Sequence, residues 1–361
     1  MNINPNRGWW VPAEDGGPER EYVWPYVNSE LGLRLYFGGN QKEQQFHRIR
    51  EFGSALIFID SSVKNLSFLR DFPKSSVFIF HVSDETYSPA VTFRIMRSPS
   101  VVKIYRDYPI PKAQNLIYWP STLASNFVRA IRTKISLFIF FKAILFGLVM
   151  AFRQILILSL GLIFRKKLGH FPLGYTNSFS TEYRKKFNLT KDSSLINFAL
   201  LEKNSQMQRK LNLKTFFSGQ LGNFDRQLMI SEARKIDIRI GTIYRKFAAS
   251  DNLKEQQTAF TNYVNGIYEC QFSLCPPGNY SQESFRYLES LLLWAIPVLK
   301  DSVVSDPMCG RSNFLGWDEF VRLSVTEALQ QIDCDKILEN ALLNFKRSLE
   351  ILSTEIKSKL I

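Results

Sequence analysis

Residues 272–301 read FSLCPPGNYSQESFRYLESLLLWAIPVLKD. The stretch opens on a short apolar run, turns at Pro-Pro-Gly and passes through a polar segment into a helix pattern. It closes on a second apolar run that ends in charge. That succession predicts a strand, a loop wide enough for a phosphate, a helix N-terminus and the next strand. In open α/β sheets such an arrangement holds phosphate ligands at the carboxyl ends of the strands, where backbone N–H groups and the positive end of the helix dipole meet them. Pro276, Pro277 and Gly278 would let the backbone approach a diphosphate. Ser284 and Arg286 stand where a hydroxyl and a guanidinium meet phosphate oxygens, and Glu289 where a carboxylate accepts from ribose hydroxyls. Plainer roles fit the same residues: Ser284 as a helix cap, and Arg286 with Glu289 as a surface pair worth a few tenths of a kcal/mol.

Working outward, Thr215–Gln220 reads as a strand ending in Ser218-Gly219, Arg226–Arg234 as an amphipathic helix, Ile236–Ile243 as strand-like and Asn252–Tyr268 as a charged helix. From Trp317 onward, Leu338, Leu342, Leu343 and Phe345 recur at helical spacing and indicate two closing helices. The N-terminal half repeats the theme. Tyr22–Tyr26 and Leu31–Phe37 suggest short strands, and Gln41–Phe52 a polar helix. Ser54–Asp60, Ser76–His81 and Val101–Tyr105 are continuous apolar runs, the pattern of strands covered on both faces. The recurrence predicts an α/β fold of two Rossmann-type lobes facing a cleft. The N-terminal lobe takes 1–175, a linker region 176–213 and the C-terminal lobe 214–361.

The first lobe's strand ends carry the other candidate residues. Asp84 and Glu85 follow the second run directly, and a carboxylate at a strand end in a cleft can take a proton from an acceptor alcohol. His81, Arg106 and Tyr108 would bind the acceptor, Arg106 through its planar fork. Asp84 as a cap of the next helix and Arg106 as a structural ion-pair residue fit equally.

The segment at about 128–167 is different in kind. Ile135–Phe152 is apolar except for Ser136 and Lys142, and after Arg153-Gln154 the apolar character resumes through Phe164. Arg129, Arg132 and Lys134 flank it on one side, and Arg165, Lys166 and Lys167 on the other. Two full membrane spans need about 20 residues each. The expectation is therefore a re-entrant or interfacial helical hairpin inserted in the N-terminal lobe, with basic rims on anionic headgroups. A pair of buried helices at an interface is the alternative.

The chain has 361 residues, 45% hydrophobic and 22% charged, which is a globular composition with room for two domains. A net charge of +13 points to an anionic partner, but the basic residues are scattered and no nucleic-acid-binding motif appears, so no nucleic acid is expected. Cys270, Cys275, Cys309 and Cys334 have no metal-ligand spacing and read as free thiols in a reducing compartment. The N-terminus lacks the basic start and apolar run of a signal peptide, so export is not expected.

Phe272-Ser-Leu-Cys-Pro-Pro-Gly278, Ser284-Phe-Arg286, Glu289 and Ile296-Pro-Val298 together resemble the C-terminal signature of exostosin-like glycosyltransferases, family 47 and its relatives. Phe80–Glu85, Tyr105–Tyr108, Pro172–Tyr175 and Phe217–Gly219 with Arg226 follow in an order similar to bacterial members. The resemblance covers residues 75–301, interrupted by the apolar insert, and departs at Trp294, where a small residue, often glycine, commonly precedes Ile-Pro-Val. It implies a GT-B fold and inverting transfer of a sugar from a nucleotide-sugar donor to a hydroxyl of a glycan or lipid-linked glycan. It also adds Ser218, Gly219 and Arg226 to the donor side and implies neither cofactor nor divalent metal. With the insert, the expected location is peripheral or monotopic on the cytoplasmic side of a membrane. A non-catalytic, membrane-docked scaffold protein that keeps the glycosyltransferase-like fold is the competing reading.

Overall fold

The structure, a computed structural model, describes residues 7–11, 34–37, 54–60, 66–82, 88–106, 127–164, 166–171, 174–190, 193–202, 213–219, 224–236, 241–243, 253–276, 285–300, 314–325 and 332–360. The chain divides into two compact units. One comprises Met1–Ile110, Val149–Leu173 and Arg347–Ile361, the other Pro111–Leu148 and Gly174–Lys346. Each is built on its own parallel sheet, which gives the expected α/β organisation of two Rossmann-type units.

The first unit contains strands β1 (Arg7–Val11), β2 (Arg34–Phe37), β3 (Ser54–Asp60) and β4 (Val77–Val82), helix α1 (Pro89–Arg97), and strands β5 (Val101–Arg106) and β6 (Leu168–His170). The sheet order is β2-β1-β3-β4-β5-β6, all parallel, so the winding reverses between β1 and β3. The apolar runs do not alternate because both faces are covered. Ile57, Ile59, Val77, Ile79 and Ile104 pack with Ile95 and Met96 of α1 on one face. Phe78 and Phe80 stack on Tyr105 on the other, with Phe171 edge-on to Phe80. Proline at the first turn starts α1 with its φ already helical.

Between β5 and β6 lies α2 (Leu137–Ile163), one continuous helix of 27 residues, about 40 Å long. The expected hairpin is thus corrected to a single helix. Arg153 and Gln154, which divide the two apolar runs, are good helix formers, and no proline interrupts the helix. Near its start Phe140 packs with Ala130, Ile135, Phe224 and Leu228, and near its end Leu160 and Phe164 pack on the first unit's aliphatic core. The opposite face is apolar and exposed, with Phe138 at 75%, Leu145 at 67%, Phe152 at 62% and Ile163 at 72% exposure. Together with Phe141, Leu148, Val149, Ile155, Leu156 and Leu162, these fall within an arc of about 140° at helical periodicity.

The second unit contains α3 (Asn177–Phe187), α4 (Leu195–Leu201), β7 (Leu213–Ser218), α5 (Phe224–Ile236), β8 (Gly241–Ile243), α6 (Leu253–Tyr268), β9 (Cys270–Leu274), α7 (Arg286–Leu292), β10 (Ile296–Leu299), β11 (Leu315–Gly316) and α8 (Trp317–Val325). The terminal helix α9 (Cys334–Leu360) begins in this unit and ends in the first. The sheet order is β11-β10-β9-β7-β8, again all parallel, and the winding reverses between β7 and β9. A Cβ on Gly266 of α6 would meet the Phe216 ring at 2.3 Å, so glycine sets how closely this helix lies on β7.

Several local expectations shift. The basic loop at Arg184–Lys186 is the last turn of α3, which Thr176 caps by accepting from Phe179 N and which ends at Asn188 with φ 53°. Cations suit that turn because the carboxyl end of a helix is partially negative. Of the segment read as a strand from Ile236 to Ile243, Ile236 is the last residue of α5 and Gly241–Ile243 is β8, and 237–240 lie outside the described residues. Within Leu31–Phe37 the described residues Arg34–Phe37 form β2, whereas Tyr22–Tyr26 and the helix at Gln41–Phe52 lie outside the described residues.

Candidate functional site

In doubly wound sheets ligands bind beyond the carboxyl ends of the strands where the winding reverses. In the second unit that point is the end of β7, Ser218-Gly219, beside the end of β9, Cys275-Pro276. Four of the expected donor-side residues meet there. Arg286, at the start of α7, donates from Nε and Nη2 to the Ser218 carbonyl at 3.2 and 3.0 Å and lies 5.4 Å from the centre of the Phe217 ring. Gly219 makes this contact feasible: its φ is +155°, and a Cβ there would lie 2.4 Å from Arg286 Nη2. Ser218 is 1% exposed, and its Oγ makes no hydrogen bond among the described residues. Pro276 is buried at the end of β9.

Two further cations share this edge by topology. Arg226 sits in the first turn of α5, the helix that follows β7, and Lys300 follows the last residue of β10. Lys300 Nζ donates to Asp225 Oδ1 at 2.5 Å. With the Arg286 guanidinium, three cations stand at this edge, Lys300 paired with Asp225.

Glu289 turns inward, at 2% exposure. Its Oε1 accepts from Thr176 N at 3.0 Å and Thr176 Oγ1 at 2.8 Å, and its Oε2 from Tyr263 OH at 2.5 Å. The carboxylate thereby ties α7 to α6 and to the cap of α3. Burial, with Glu289 second, raises the Tyr263 hydroxyl well above its ordinary pKa, so it stays a donor. Ser290 Oγ lies 2.8 Å from Ser273 Oγ and 3.4 Å from Cys275 Sγ, joining α7 to β9. Burial pushes the Cys275 thiol up to about 11, which makes it a structural group rather than a nucleophile. Trp294 follows α7 with φ 58°, the left-handed conformation that glycine ordinarily supplies after a helix. Its buried indole donates from Nε1 to Ala199 O at 3.0 Å.

In the first unit, register pairs His81 at the end of β4 with Arg106 at the end of β5. Both are buried, Arg106 at 1% exposure, with its Nη1 donating to Thr92 Oγ1 of α1 at 2.7 Å. The Arg106 carbonyl accepts from Phe171 N, and His170 Nδ1 lies 2.8 Å from it. Asp84, Glu85, Tyr108, Pro277, Gly278 and Ser284 lie outside the described residues. Among the described residues no three His, Cys, Asp or Glu side chains cluster to hold a metal ion.

Sequence reasoning did not find Thr176, Tyr263, Lys300 or the Ser273–Ser290 pair. Only Lys300 carried a usable signal, as a charge closing an apolar strand next to the loop that opened the reading.

No protein-family model matches the chain, and neither does any curated protein. Among solved structures it is similar to Anabaena Alr3699/HepE in complex with UDP-glucose, at 8% identity and TM-score 0.46, over 98% of this chain and 100% of that one. The same protein with UDP and glucose gives 8% and 0.40, over 98% and 99%. A glycosyltransferase from Rickettsia africae gives 12% and 0.39, over 100% and 99%.

Proposed function

We propose that the protein is an inverting glycosyltransferase that moves a sugar from a nucleotide-sugar donor to a hydroxyl of a glycan or lipid-linked glycan. The observation that carries this reading is the strand-end contact at the reversal point of the second sheet, where Gly219 lets the Arg286 guanidinium close on the Ser218 carbonyl. It coincides with the segment whose residues resemble the exostosin-like signature.

In the proposed reaction the donor diphosphate lies along this edge, met by Arg286, Arg226 and Ser218 Oγ, and Pro276, Pro277, Gly278 and Ser284 are the further donor-binding residues of the proposal. A carboxylate, Asp84 or Glu85, takes the proton of the acceptor hydroxyl as its oxygen attacks the anomeric carbon from the face opposite the diphosphate. The bond from that carbon to the diphosphate oxygen breaks, and the electron pair leaves with the nucleoside diphosphate. Guanidinium groups neutralise the developing charge, so the step as proposed uses no divalent cation. His81, Arg106 and Tyr108 support the acceptor side. Glu289 holds α7, and with it Arg286, in place.

The apolar face of α2 lies in the plane of a membrane on its cytoplasmic side in this proposal, where lipid-linked acceptors are presented. The topology favours lying over spanning. β5 and β6 are hydrogen-bonded neighbours, so the chain that leaves β5 returns beside it, and α2 is the one helix among the described residues long and apolar enough to cross. One crossing would leave β6 on the wrong side.

Arg286→Ala tests the site. With a panel of nucleotide sugars and release of nucleoside diphosphate as readout, kcat/KM should fall on the order of a hundredfold, as for loss of one transition-state donor. The far-UV spectrum should not change. Undiminished turnover would remove Arg286 from the site, and no turnover of any donor by the wild type would favour the scaffold reading.

A further inference from the structure

A groove of about 750 Å³ opens in the first unit between a 3-10 turn at Ser67–Asp71 and the carboxyl-terminal half of α1. Three arginines line it, Arg70 from the turn and Arg94 and Arg97 from α1, and among the described residues no aspartate or glutamate does. All three are exposed, and none has a hydrogen bond or ion pair among the described residues. The partial negative charge at the end of α1 accounts for cations in its last turn, but not for a third from a separate element facing the same groove.

The groove adjoins the end of α2. Phe93, one of its walls, stands edge-on to Phe164 just beyond that helix, with ring centres 6.3 Å apart. Lys167 donates from Nζ to the carbonyls of Met96 and Ser98 at 2.9 and 2.8 Å, and Ser98 also lines the groove. The link is buried enough to lower the Lys167 pKa. A cluster of guanidiniums, unpaired among the described residues, thus sits beside the end of α2. Guanidinium forks match phosphate oxygens, and the acyl chains that α2 would meet in a bilayer carry phosphates at their heads.

We infer that this groove is a binding site for the phosphate headgroup of an anionic lipid, which fixes the rotation of α2 on the membrane. The inference rests on the in-plane docking of α2 proposed above and adds a lipid specificity to it. The alternative source of the same chemistry is a soluble phosphate compound.

The full-length protein is titrated with vesicles of phosphatidylcholine alone and of phosphatidylcholine mixed equally with phosphatidylglycerol. The wild type should bind both and prefer the anionic mixture. R70Q/R94Q/R97Q should keep its affinity for the neutral vesicles and lose on the order of a hundredfold on the anionic ones. K185Q/K336Q/R347Q removes the same charge at exposed positions elsewhere and should change anionic binding only a few-fold. Equal losses in the two variants would reduce the effect to general charge attraction and overturn the groove, leaving the docking of α2 intact. If no vesicle binds, docking and groove both fall. If inorganic phosphate stabilises the wild type but not R70Q/R94Q/R97Q, while the two bind anionic vesicles alike, the groove serves a soluble phosphate and the lipid assignment is overturned.

Discussion

Replacing Gly219 by alanine strikes the contact on which the donor site is built. The new methyl would lie 2.4 Å from Arg286 Nη2 and 3.3 Å from both Arg286 Cζ and Phe217 Cζ, inside van der Waals contact. It would also be attached to a backbone at φ +155°. Holding a non-glycine residue in such a conformation costs about 1–3 kcal/mol. The guanidinium is only half-buried, so it can swing into water, and giving up its bonds to the Ser218 carbonyl costs about 1 kcal/mol net. The sum is about 2–4 kcal/mol, or roughly 3–5 °C in Tm for a protein of this size. Urea and thermal unfolding measure it directly. A double-mutant cycle with Arg286→Ala isolates the steric part: with the guanidinium gone the methyl has room, and the pair of substitutions should be less than additive by about 1 kcal/mol. Unchanged stability of G219A, or strict additivity with R286A, would refute the claim that Arg286 lies over Gly219.

Three other outcomes follow from the same geometry. Trp294→Gly exchanges relief of a left-handed residue, about 1–2 kcal/mol, for loss of a buried indole, about 3–5 kcal/mol, and should melt lower than the wild type; a higher Tm would mean the indole contributes little. Glu289→Ala strands the buried Tyr263 hydroxyl and two donors of half-buried Thr176 and should cost about 2–4 kcal/mol in urea unfolding, more than Arg286→Ala; the opposite ranking would reassign Glu289 from a structural tie to a solvent-facing group. Burial pulls the Glu355 pKa up, but Lys103 and Lys359 outweigh it and hold the carboxyl below its ordinary value. Its contribution should therefore be complete above the unfolded pKa of about 4.3 and vanish as pH falls through the folded one, so wild type and Glu355→Gln should differ in urea stability near neutrality and converge in acid; a gap that persists in acid would contradict the pairing.

The strands were legible because burial on both faces leaves unbroken apolar runs: β4, β5, β9 and β10 were expected within a residue or two. The reversal of winding beside Ser218 and Cys275 was not, since strand order depends on pairings such as Thr215 with Phe272 that no local pattern records. The role of Glu289 was invisible for the same reason: Thr176 lies 113 residues away. At Trp294 the departure from a small residue was visible, but only the backbone shows why glycine would suit the position. The basic Arg184–Lys186 run looked like a loop because its cap, Thr176, and its stop, Asn188, are single residues at the two ends of an ordinary polar stretch. The apolar insert was legible as an unusual element, but the hairpin was inferred from its basic flanks, and helix propensity carries Leu137–Ile163 through Arg153-Gln154 without a break.

Calorimetric titration of the wild type, G219A and R286A with the common nucleoside diphosphates addresses the central claim most directly. The account predicts that at least one binds the wild type at a single site, and that both substitutions weaken it by tenfold or more, about 1.4 kcal/mol. Absence of binding by every nucleoside diphosphate, or equal affinity in all three proteins, would contradict a donor site at the end of β7.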